Sequence, residues 1–177
     1  MPTTSGAGAG EAVARATAPI AAAGIEHEIV EHDPTYRAED EARAGGFHPA
    51  DTVKTLVLVD HDALRLAVIP ASHRLDVERV RTLLAASRHL RLATEEEIRA
   101  AFPEFEVGAL PPFASERVPE LLDVRLLYRE RVLCAAGDHR HGVVLDPRDL
   151  VRLAEPRVGD ICDRAFGEHR FADVPHP

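Results

Sequence analysis

Two apolar segments separated by four residues constrain the fold of this chain most. Residues 53–59 and 64–69 are rich in valine, leucine and isoleucine, and Asp60-His61-Asp62-Ala63 lies between them. A short polar connection between two β-forming segments is typical of a β-hairpin. We therefore predict an antiparallel pair of strands at the centre of the fold.

Lys54, near the start of the first segment, is the single lysine of the chain, since all other members of the Lys+Arg total of 21 are arginine. A lysine ammonium is a compact charge on a flexible stem, whereas the arginine guanidinium is a rigid planar fork. Two interpretations are open. Lys54 positions a substrate or takes part in catalysis at the mouth of a pocket, or it is a chance lysine that caps an exposed strand end.

The remaining pattern predicts one domain of mixed α and β structure. A chain of 177 residues is long enough for a single substantial core. Capping and turn signals predict short helices and short strands in irregular alternation, which favours an α+β domain with a mixed, largely antiparallel sheet. We expect helices at residues 11–23, 37–44, 75–86, 94–101 and 146–153, and further strands at 25–32, 124–127, 131–135 and 143–145. We expect a disordered tail at residues 1–10, the folded domain at 11–165 and a flexible C-terminal tail at 166–177.

Composition and charge limit the function. The chain has no apolar run near the roughly 20 residues that span a bilayer, and no signal-peptide pattern, so we expect a cytoplasmic protein with no membrane partner. Cys134 and Cys162 lack metal-type spacing, which favours reduced thiols. The net charge of −9 argues against a protein that coats nucleic acid.

A local basic patch remains compatible with contact to one end of a nucleic acid. Five arginines fall within eighteen residues: Arg74, Arg79, Arg81, Arg88 and Arg91. The alternative is an ordinary solvated helix face.

Two histidine-containing patterns are candidates for chemistry. His32 and Asp33 could act as a base and its orienting carboxylate, although a structural turn before Pro34 fits better. His139 and His141 have a spacing that could share a metal, but no third ligand has a convincing position, so we expect no metal and no cofactor. The sequence contains neither a G-x-S-x-G elbow nor a Walker loop.

The segment from Gly108 to Pro112 is a candidate ligand-binding loop. Glycine allows close approach of a ligand to the backbone, and the prolines Pro111 and Pro112 stiffen the segment. Such a loop can form a rigid wall that holds a small ligand. A plain surface turn is the alternative.

Together these segments resemble the YbaK/ProX family of aminoacyl-tRNA deacylases, also called the synthetase-associated editing domain. The resemblance covers residues 18–162, and its motifs occur in family order. They are Glu31-His-Asp-Pro34, Lys54-Thr-Leu56, the apolar strand and helix start at residues 68–75, the G-x-x-x-P loop from Gly108 to Pro112, Ala136-Gly137, residues 145–150 and Val158-Gly-Asp-Ile161.

The resemblance implies a fold, an activity and a site. The fold is a single α+β domain with a mixed, partly closed sheet and peripheral helices. The activity is trans-editing, the hydrolysis of the ester that joins a wrong amino acid to the tRNA 3′ acceptor end, with an aminoacyl-tRNA synthetase as a further partner. Lys54 matches the essential lysine of the family. The expected substrate-binding residues are Gly108, Ala109, Leu110, Pro111, Pro112, Gly137, His139 and Tyr36.

The sequence departs from the family pattern at three places. Ala135 stands where the Cys-tRNA(Pro) deacylases have serine, Gly142 stands where an acidic residue is expected, and Tyr36 matches the aromatic pocket residues loosely. His139 could substitute for part of this polar lining. These departures concern mainly the amino-acid specificity.

Two other functions were weighed. The domain could bind a tRNA acceptor end or a synthetase without catalysis, or it could hydrolyse small esters without tRNA. For the deacylase hypothesis, Lys54 must face the glycine–proline loop across one cavity.

Overall fold

The predicted hairpin forms the centre of the larger of two β-sheets. Strand β2 (Val53–Asp60) pairs antiparallel with β3 (Ala63–Pro70) along its whole length, from Val53 opposite Pro70 to Asp60 opposite Ala63. The connection is a two-residue turn in which His61 has a φ of 55°. This confirms the hairpin prediction.

The computed structural model describes residues 6–163. The remaining elements follow the hairpin and its flanks in chain order: α1 (Gly6–Ala22), β1 (Glu28–Glu31), α2 (Ala38–Gly45), α3 (Val77–Leu84), β4 (Arg91–Leu92), α4 (Glu95–Ala101), β5 (Glu120–Asp123), β6 (Val132–Ala135), β7 (His141–Leu145), α5 (Pro147–Ala154) and β8 (Arg157–Gly159).

The strands form two sheets. The smaller has the order β1-β7-β6 and is antiparallel, and the larger has the order β4-β2-β3-β5-β8. In the larger sheet β2 pairs antiparallel with β3 and β4, whereas β5 pairs parallel with β3 and β8. The predicted α+β class with mixed, largely antiparallel β-structure is confirmed. The predicted partial closure is replaced, within residues 6–163, by two open sheets that meet at a bridge between Thr52 and Leu133.

The two sheets enclose one part of the core. Val53, Val68 and Leu122 of the larger sheet pack with buried residues of the smaller sheet and with Ile20 of α1 and Leu150 of α5. The opposite face of the larger sheet packs against α3 and the segment that contains Ile161 and Cys162, through Leu58, Ala67, Ile69 and Leu121. The larger sheet is therefore covered on both faces.

The N-terminal helix begins earlier than predicted. It starts at Gly6 rather than at residue 11, although three of the five added residues are glycine, which has a low helix propensity. Gly24 adopts a left-handed φ of 64° just after the helix, a conformation that favours glycine at a helix end. Residues 1–5 of the predicted N-terminal tail, and the predicted C-terminal tail at 166–177, lie outside the described residues.

The predicted strand at residues 124–127 is wrong. These residues form a short 3₁₀ helix, and the strand lies just before them at Glu120–Asp123. The side chain of Asp123 accepts a hydrogen bond from the backbone N–H of Arg125 at 3.0 Å and thereby starts the helical turn.

Helix capping follows the sequence closely. Thr94 and Glu97 form both hydrogen bonds of a capping box at the start of α4, where a helix was predicted. Asp146 caps α5, with Pro147 in its first turn. Within residues 6–163 no helix is long and apolar enough to cross a membrane.

Candidate active site

A cavity of about 550 Å³ lies beside the N-terminal half of β2. Its walls come from α2 and the turn before it, from β2, from the loop after α4 and from the end of β6. The lining residues are Tyr36, Arg37, Ala38, Glu39, Asp40, Glu41, Arg43, Val53, Lys54, Thr55, Leu56, Gly108, Leu110 and Ala135. Other surface hollows are similar in volume, but this one combines the lysine, a buried carboxyl group and the predicted glycine loop.

The sheet topology places Lys54 at the cavity. Strand β4 pairs with Leu58 and Val59 of β2, so the preceding residues of β2 border the cavity instead of a neighbouring strand. The ammonium Nζ of Lys54 donates a hydrogen bond to the carbonyl oxygen of His73 at 3.0 Å and lies 3.9 Å from Glu39 Oε1. Its side chain is 24% exposed, so the ammonium is held in place while still reachable from the cavity.

Three consecutive acidic residues at the start of α2 line the cavity, and they differ in solvent exposure and in their ionic neighbours. Glu39 lies near Lys54, and Asp40 Oδ1 lies 3.8 Å from Arg43 Nη1. Both side chains are about half exposed, whereas Glu41 is 7% exposed. Burial, together with the nearby negative charge of Asp138, raises the pKa of Glu41 to about 8.

The Gly108 loop is fastened to the turn between β6 and β7 by backbone hydrogen bonds. The N–H of Gly137 donates to the carbonyl of Ala109 at 3.0 Å, and the N–H of Glu106 donates to the carbonyl of Gly137 at 2.9 Å. Gly108 has a φ of 90°, a conformation that side chains disfavour, which explains the glycine. The loop therefore presents Gly108 and Leu110 to the cavity from a fixed frame.

An aromatic pair stands next to Gly108. The rings of Tyr36 and His139 lie 4.7 Å apart between centroids, and the Tyr36 side chain is exposed. A Cβ atom at Gly108 would lie 3.4 Å from His139 Cε1 and 3.7 Å from the carbonyl oxygen of Tyr36. His139 therefore lies beside the cavity wall, and it lines an adjacent hollow with Glu106.

The other predicted site residues are packed behind the wall. Ala109, Pro111, Pro112 and Gly137 are buried and lie outside the cavity lining. A Cβ atom at Gly137 would lie 2.7 Å from Phe105 Cδ1, so this glycine is needed for close packing. The structure thus brings Lys54, Tyr36, Gly108 and Leu110 together at the cavity, while the other four residues lie outside its lining.

Two departures from the family pattern have structural correlates. Ala135 lines the cavity and contributes no polar group. At Gly142 a Cβ atom would lie 2.5 Å from Leu133 Cδ1 and 3.3 Å from Glu41 Oε1, so a larger residue does not fit there. The carboxyl group of Glu41 lies next to the position where the family pattern has an acidic residue.

The histidines of the two candidate patterns make separate structural contacts. The ring of His32 hydrogen-bonds the backbone carbonyl of Asp33 at 2.7 Å, which supports the structural-turn interpretation. His141 Nδ1 lies 2.8 Å from Asp138 Oδ2, while His139 packs on Tyr36. Among residues 6–163, no three histidine, cysteine or acidic side chains come together in a group able to hold a metal.

The arginine patch predicted at residues 74–91 is largely neutralised. Arg79 pairs with Asp76 and Asp160, and Arg91 makes two hydrogen bonds to Glu97 at 2.8 and 2.9 Å. This supports the interpretation of a solvated, ion-paired surface.

Sequence reasoning missed Glu41 as a site residue. It lies in a run of acidic residues on a short helix, where exposed positions are the usual assignment. No feature of the sequence distinguishes it from Glu39 and Asp40, its acidic neighbours on the same helix.

Comparison with known proteins places these features among related chains. A family model described as an aminoacyl-tRNA editing domain matches residues 32–153. The chain is 32% identical over 171 residues to a proline–tRNA ligase of Shouchella clausii (strain KSM-K16). That match covers 91% of this chain and 30% of the ligase, so the chain spans less than a third of this relative.

Solved structures share the fold over nearly their whole length. A protein proposed to be a trans-editing enzyme for prolyl tRNA synthetase is 28% identical, with a TM-score of 0.77, and the match covers 86% of this chain and 98% of that one. The hypothetical protein APE2540 is 26% identical, also with a TM-score of 0.77, over 84% of this chain and 99% of that one.

Proposed function

Because the chain belongs to the family of aminoacyl-tRNA editing domains, we propose that it is a trans-acting deacylase that hydrolyses the ester of a mischarged tRNA. The observation that carries this proposal is the placement of Lys54 and Gly108 on one cavity. With a volume of about 550 Å³, this cavity is in the range of small-molecule sites.

The reaction needs little covalent assistance from the protein. A water molecule attacks the ester carbonyl carbon, the bond between that carbon and the ribose oxygen breaks, and the ribose oxygen takes a proton. The products are a free amino acid and a tRNA with a free terminal hydroxyl group. Since the ester is already activated, holding it and the water in reactive geometry supplies much of the rate.

Lys54 is the proposed electrostatic partner of the reacting ester. Its ammonium is held by the carbonyl of His73 and remains partly exposed to the cavity. In that position it orients the substrate through its carbonyl or phosphate oxygens and stabilises the negative charge that develops on the carbonyl oxygen. The Gly108 loop, which permits close backbone approach, holds the aminoacyl group and the terminal ribose on the opposite wall.

The proposed substrate enters with its terminal nucleoside at the mouth of the cavity. Tyr36 offers an exposed ring there, supported by His139, and aromatic rings bind nucleobases by stacking. We further propose that a synthetase partner holds the body of the tRNA. The similarity to proline–tRNA ligases and to the protein proposed to edit for prolyl tRNA synthetase supports this arrangement.

A non-catalytic adaptor is the second candidate. It is favoured by Ala135, which places a methyl group where related deacylases have a hydroxyl. Such a protein would bind the acceptor end or a synthetase and leave the ester intact.

A panel of mischarged tRNAs separates these functions. The purified protein is incubated with each aminoacyl-tRNA and with the matching free aminoacyl methyl ester, and the released amino acid is measured. A deacylase releases amino acid from at least one tRNA. Release from no tRNA of the panel favours the adaptor, and release from free esters alone indicates a small-ester hydrolase.

A further inference from the structure

Glu41 is the least explained group of the cavity. Of the three acidic residues that line it from α2, Glu39 lies near Lys54 and Asp40 lies near Arg43, whereas Glu41 has no lysine or arginine within ion-pair distance among residues 6–163. Within the same residues nothing donates a hydrogen bond to its carboxyl group. A buried carboxyl group without a donor is costly unless a ligand satisfies it.

The neighbour of Glu41 adds a second unsatisfied group. His32 Nε2 is fully buried, makes no hydrogen bond within the described part of the chain and lies 3.6 Å from Glu41 Oε1. Since His32 Nδ1 contacts a carbonyl oxygen, which can only accept, Nδ1 carries the proton. In the neutral ring Nε2 is then an acceptor that faces Glu41.

Three titratable residues from different elements surround the carboxyl group of Glu41. His32 faces it from the end of β1, Asp138 influences it from the turn between β6 and β7, and Cys134 lies near it on β6. Burial and the negative charge of Asp138 raise the pKa of Glu41 to about 8, so its carboxyl group is protonated at neutral pH. Oε1 of Glu41 lies on the side of His32, and the carboxyl group, which lines the cavity, keeps oxygen acceptors that no donor of the described residues occupies.

We propose that Glu41 is a specificity-determining residue that binds the α-amino group of the aminoacyl substrate. This inference rests on the proposed deacylase function and names the group that occupies the inner end of the cavity. An α-amino group donates N–H hydrogen bonds in both of its protonation states, so it can bind the carboxyl group of Glu41 whether or not that group is ionised, and a cationic amino group makes the hydrogen bond charge-assisted. The substrates are therefore free α-amino acyl esters rather than N-blocked or deaminated ones.

The position of Glu41 explains how the site would distinguish substrates with an α-amino group from those without one. When the α-amino group is absent, the largely buried carboxyl group of Glu41 has no hydrogen-bond donor among the described residues, and sites built to hydrogen-bond a substrate reject analogues that lack the group. A charge-assisted hydrogen bond of this kind corresponds to a factor of about 10 to 100 in affinity.

Binding of two stable analogues tests the inference. In the first, alanine is joined by an amide bond to 3′-amino-3′-deoxyadenosine; in the second, propionate replaces alanine, so that only the α-amino group is lost. Dissociation constants are measured by titration for the wild-type protein and for Glu41→Leu and Glu41→Gln. Because the amide is not hydrolysed as the ester is, this readout is separate from catalysis.

The wild-type protein is expected to bind the alanyl compound about 10 to 100 times more tightly than the propionyl compound. Glu41→Leu, which has no acceptor, brings the ratio near one, and Glu41→Gln, which keeps a carbonyl acceptor, retains part of it. Glu120→Gln is the matched control, because Glu120 is also a buried glutamate but lies outside the cavity lining. Its ratio should equal that of the wild type.

Equal affinities for the two analogues in the wild type, no binding of the alanyl compound, or a ratio unchanged in Glu41→Leu would overturn the role of Glu41. Hydrolysis of the mischarged tRNA panel, measured on the same preparations, reports on the deacylase itself. Selective binding of the alanyl compound without hydrolysis of any tRNA would support the role of Glu41 and contradict the proposed deacylase function. Hydrolysis without selective binding would support the deacylase function and contradict the role of Glu41.

Discussion

Two buried glutamates keep their protons at pH values where exposed carboxyl groups have lost them. Burial raises the pKa of Glu120 to about 9, and burial together with Asp138 raises that of Glu41 to about 8. Glu120 Oε1 is buried and makes no hydrogen bond within residues 6–163. Both side chains therefore link the stability of the fold to pH.

The sign of this linkage follows from proton binding. Between the ordinary value of 4.5 and about 9, Glu120 is protonated in the folded chain and ionised in the unfolded chain. Raising the pH in this window therefore favours unfolding, by up to about 1.4 kcal/mol per pH unit for one group.

Glu120→Gln should remove this penalty. We expect the difference in free energy of unfolding between Glu120→Gln and the wild type to grow in favour of the variant from pH 6 to pH 8, by about 1.4 kcal/mol per pH unit. Urea denaturation at pH 6, 7 and 8 measures it. A difference that is constant with pH would show that Glu120 does not hold a proton in the folded protein.

The two glycines of the site loops should respond differently to a methyl group. At Gly137 an alanine Cβ lies 2.7 Å from Phe105 Cδ1 and 3.1 Å from the carbonyl oxygen of Ala12, and φ is 94°. At Gly108, with a φ of 90°, a Cβ atom would lie 3.4 Å from His139 Cε1, an ordinary van der Waals contact. Gly137→Ala combines overpacking with backbone strain, whereas Gly108→Ala adds mainly strain.

We therefore expect Gly137→Ala to lower the free energy of unfolding by about 2 to 4 kcal/mol, and Gly108→Ala by about 1 to 2 kcal/mol. Chemical denaturation of the two variants beside the wild type gives both values. The packing argument fails if Gly108→Ala is the more damaging change.

At the scale of elements, Asp123 connects the end of β5 to the segment after β8. Its buried side chain accepts hydrogen bonds from the N–H of Arg125 and from the N–H of Ile161, each at 3.0 Å, and it pairs with the Arg125 guanidinium. Asp146 caps α5 by accepting one hydrogen bond from the backbone N–H of Arg148 at 2.9 Å, but unlike Asp123 it is partly exposed.

Asp123→Ala should cost about 2 to 4 kcal/mol of unfolding free energy, because it leaves the buried N–H of Ile161 without an acceptor and removes one partner of a partly buried ion pair. Asp146→Ala, the control at a helix cap, should cost about 1 kcal/mol. Thermal or urea unfolding compares them. Similar losses for both variants would mean that Asp123 acts as a simple cap.

Elements with a local chemical signature were predictable, and those that depend on tertiary contacts were not. Periodicity and turn residues located the β2–β3 hairpin, and side-chain caps located α4 and α5. Strand β5 was missed because Glu120 and Asp123 make it look polar, although all four of its residues are buried. Strand β8 is three residues long and is specified by its pairing with β5 rather than by its own sequence.

The site was predictable to a similar degree. Lys54 and Gly108 were identified from their unusual chemistry and from the family resemblance, and they do line one cavity. Glu41 was not, because nothing in three successive acidic residues tells which one α2 turns inward. That choice is made by packing against β6 and by the room that Gly142 leaves.

At the scale of the whole molecule, the cavity exists because chain segments distant in sequence meet beside β2. Helix α2 and the Gly108 loop both contribute to its wall, and the turn between β6 and β7 supports the loop. The chain as a whole has a net charge of −9, which disfavours broad contact with a polyanion. The architecture is therefore consistent with a proposed site that accepts only the end of a tRNA.

The most direct test of the proposed site is the rate of ester hydrolysis after removal of the Lys54 ammonium. With the tRNA of the panel that the wild-type protein deacylates fastest, kcat/KM is measured for the wild type, for Lys54→Ala and for Arg131→Ala. Arg131 provides the matched control, since it is a surface cation outside the cavity lining.

We predict that Lys54→Ala lowers kcat/KM by about 100-fold or more, as expected for loss of a group that stabilises developing charge. Its free energy of unfolding should stay within about 1 kcal/mol of the wild-type value, and Arg131→Ala should hydrolyse the ester at the wild-type rate. A Lys54→Ala protein that remains folded and hydrolyses the ester within threefold of the wild-type rate would contradict the account.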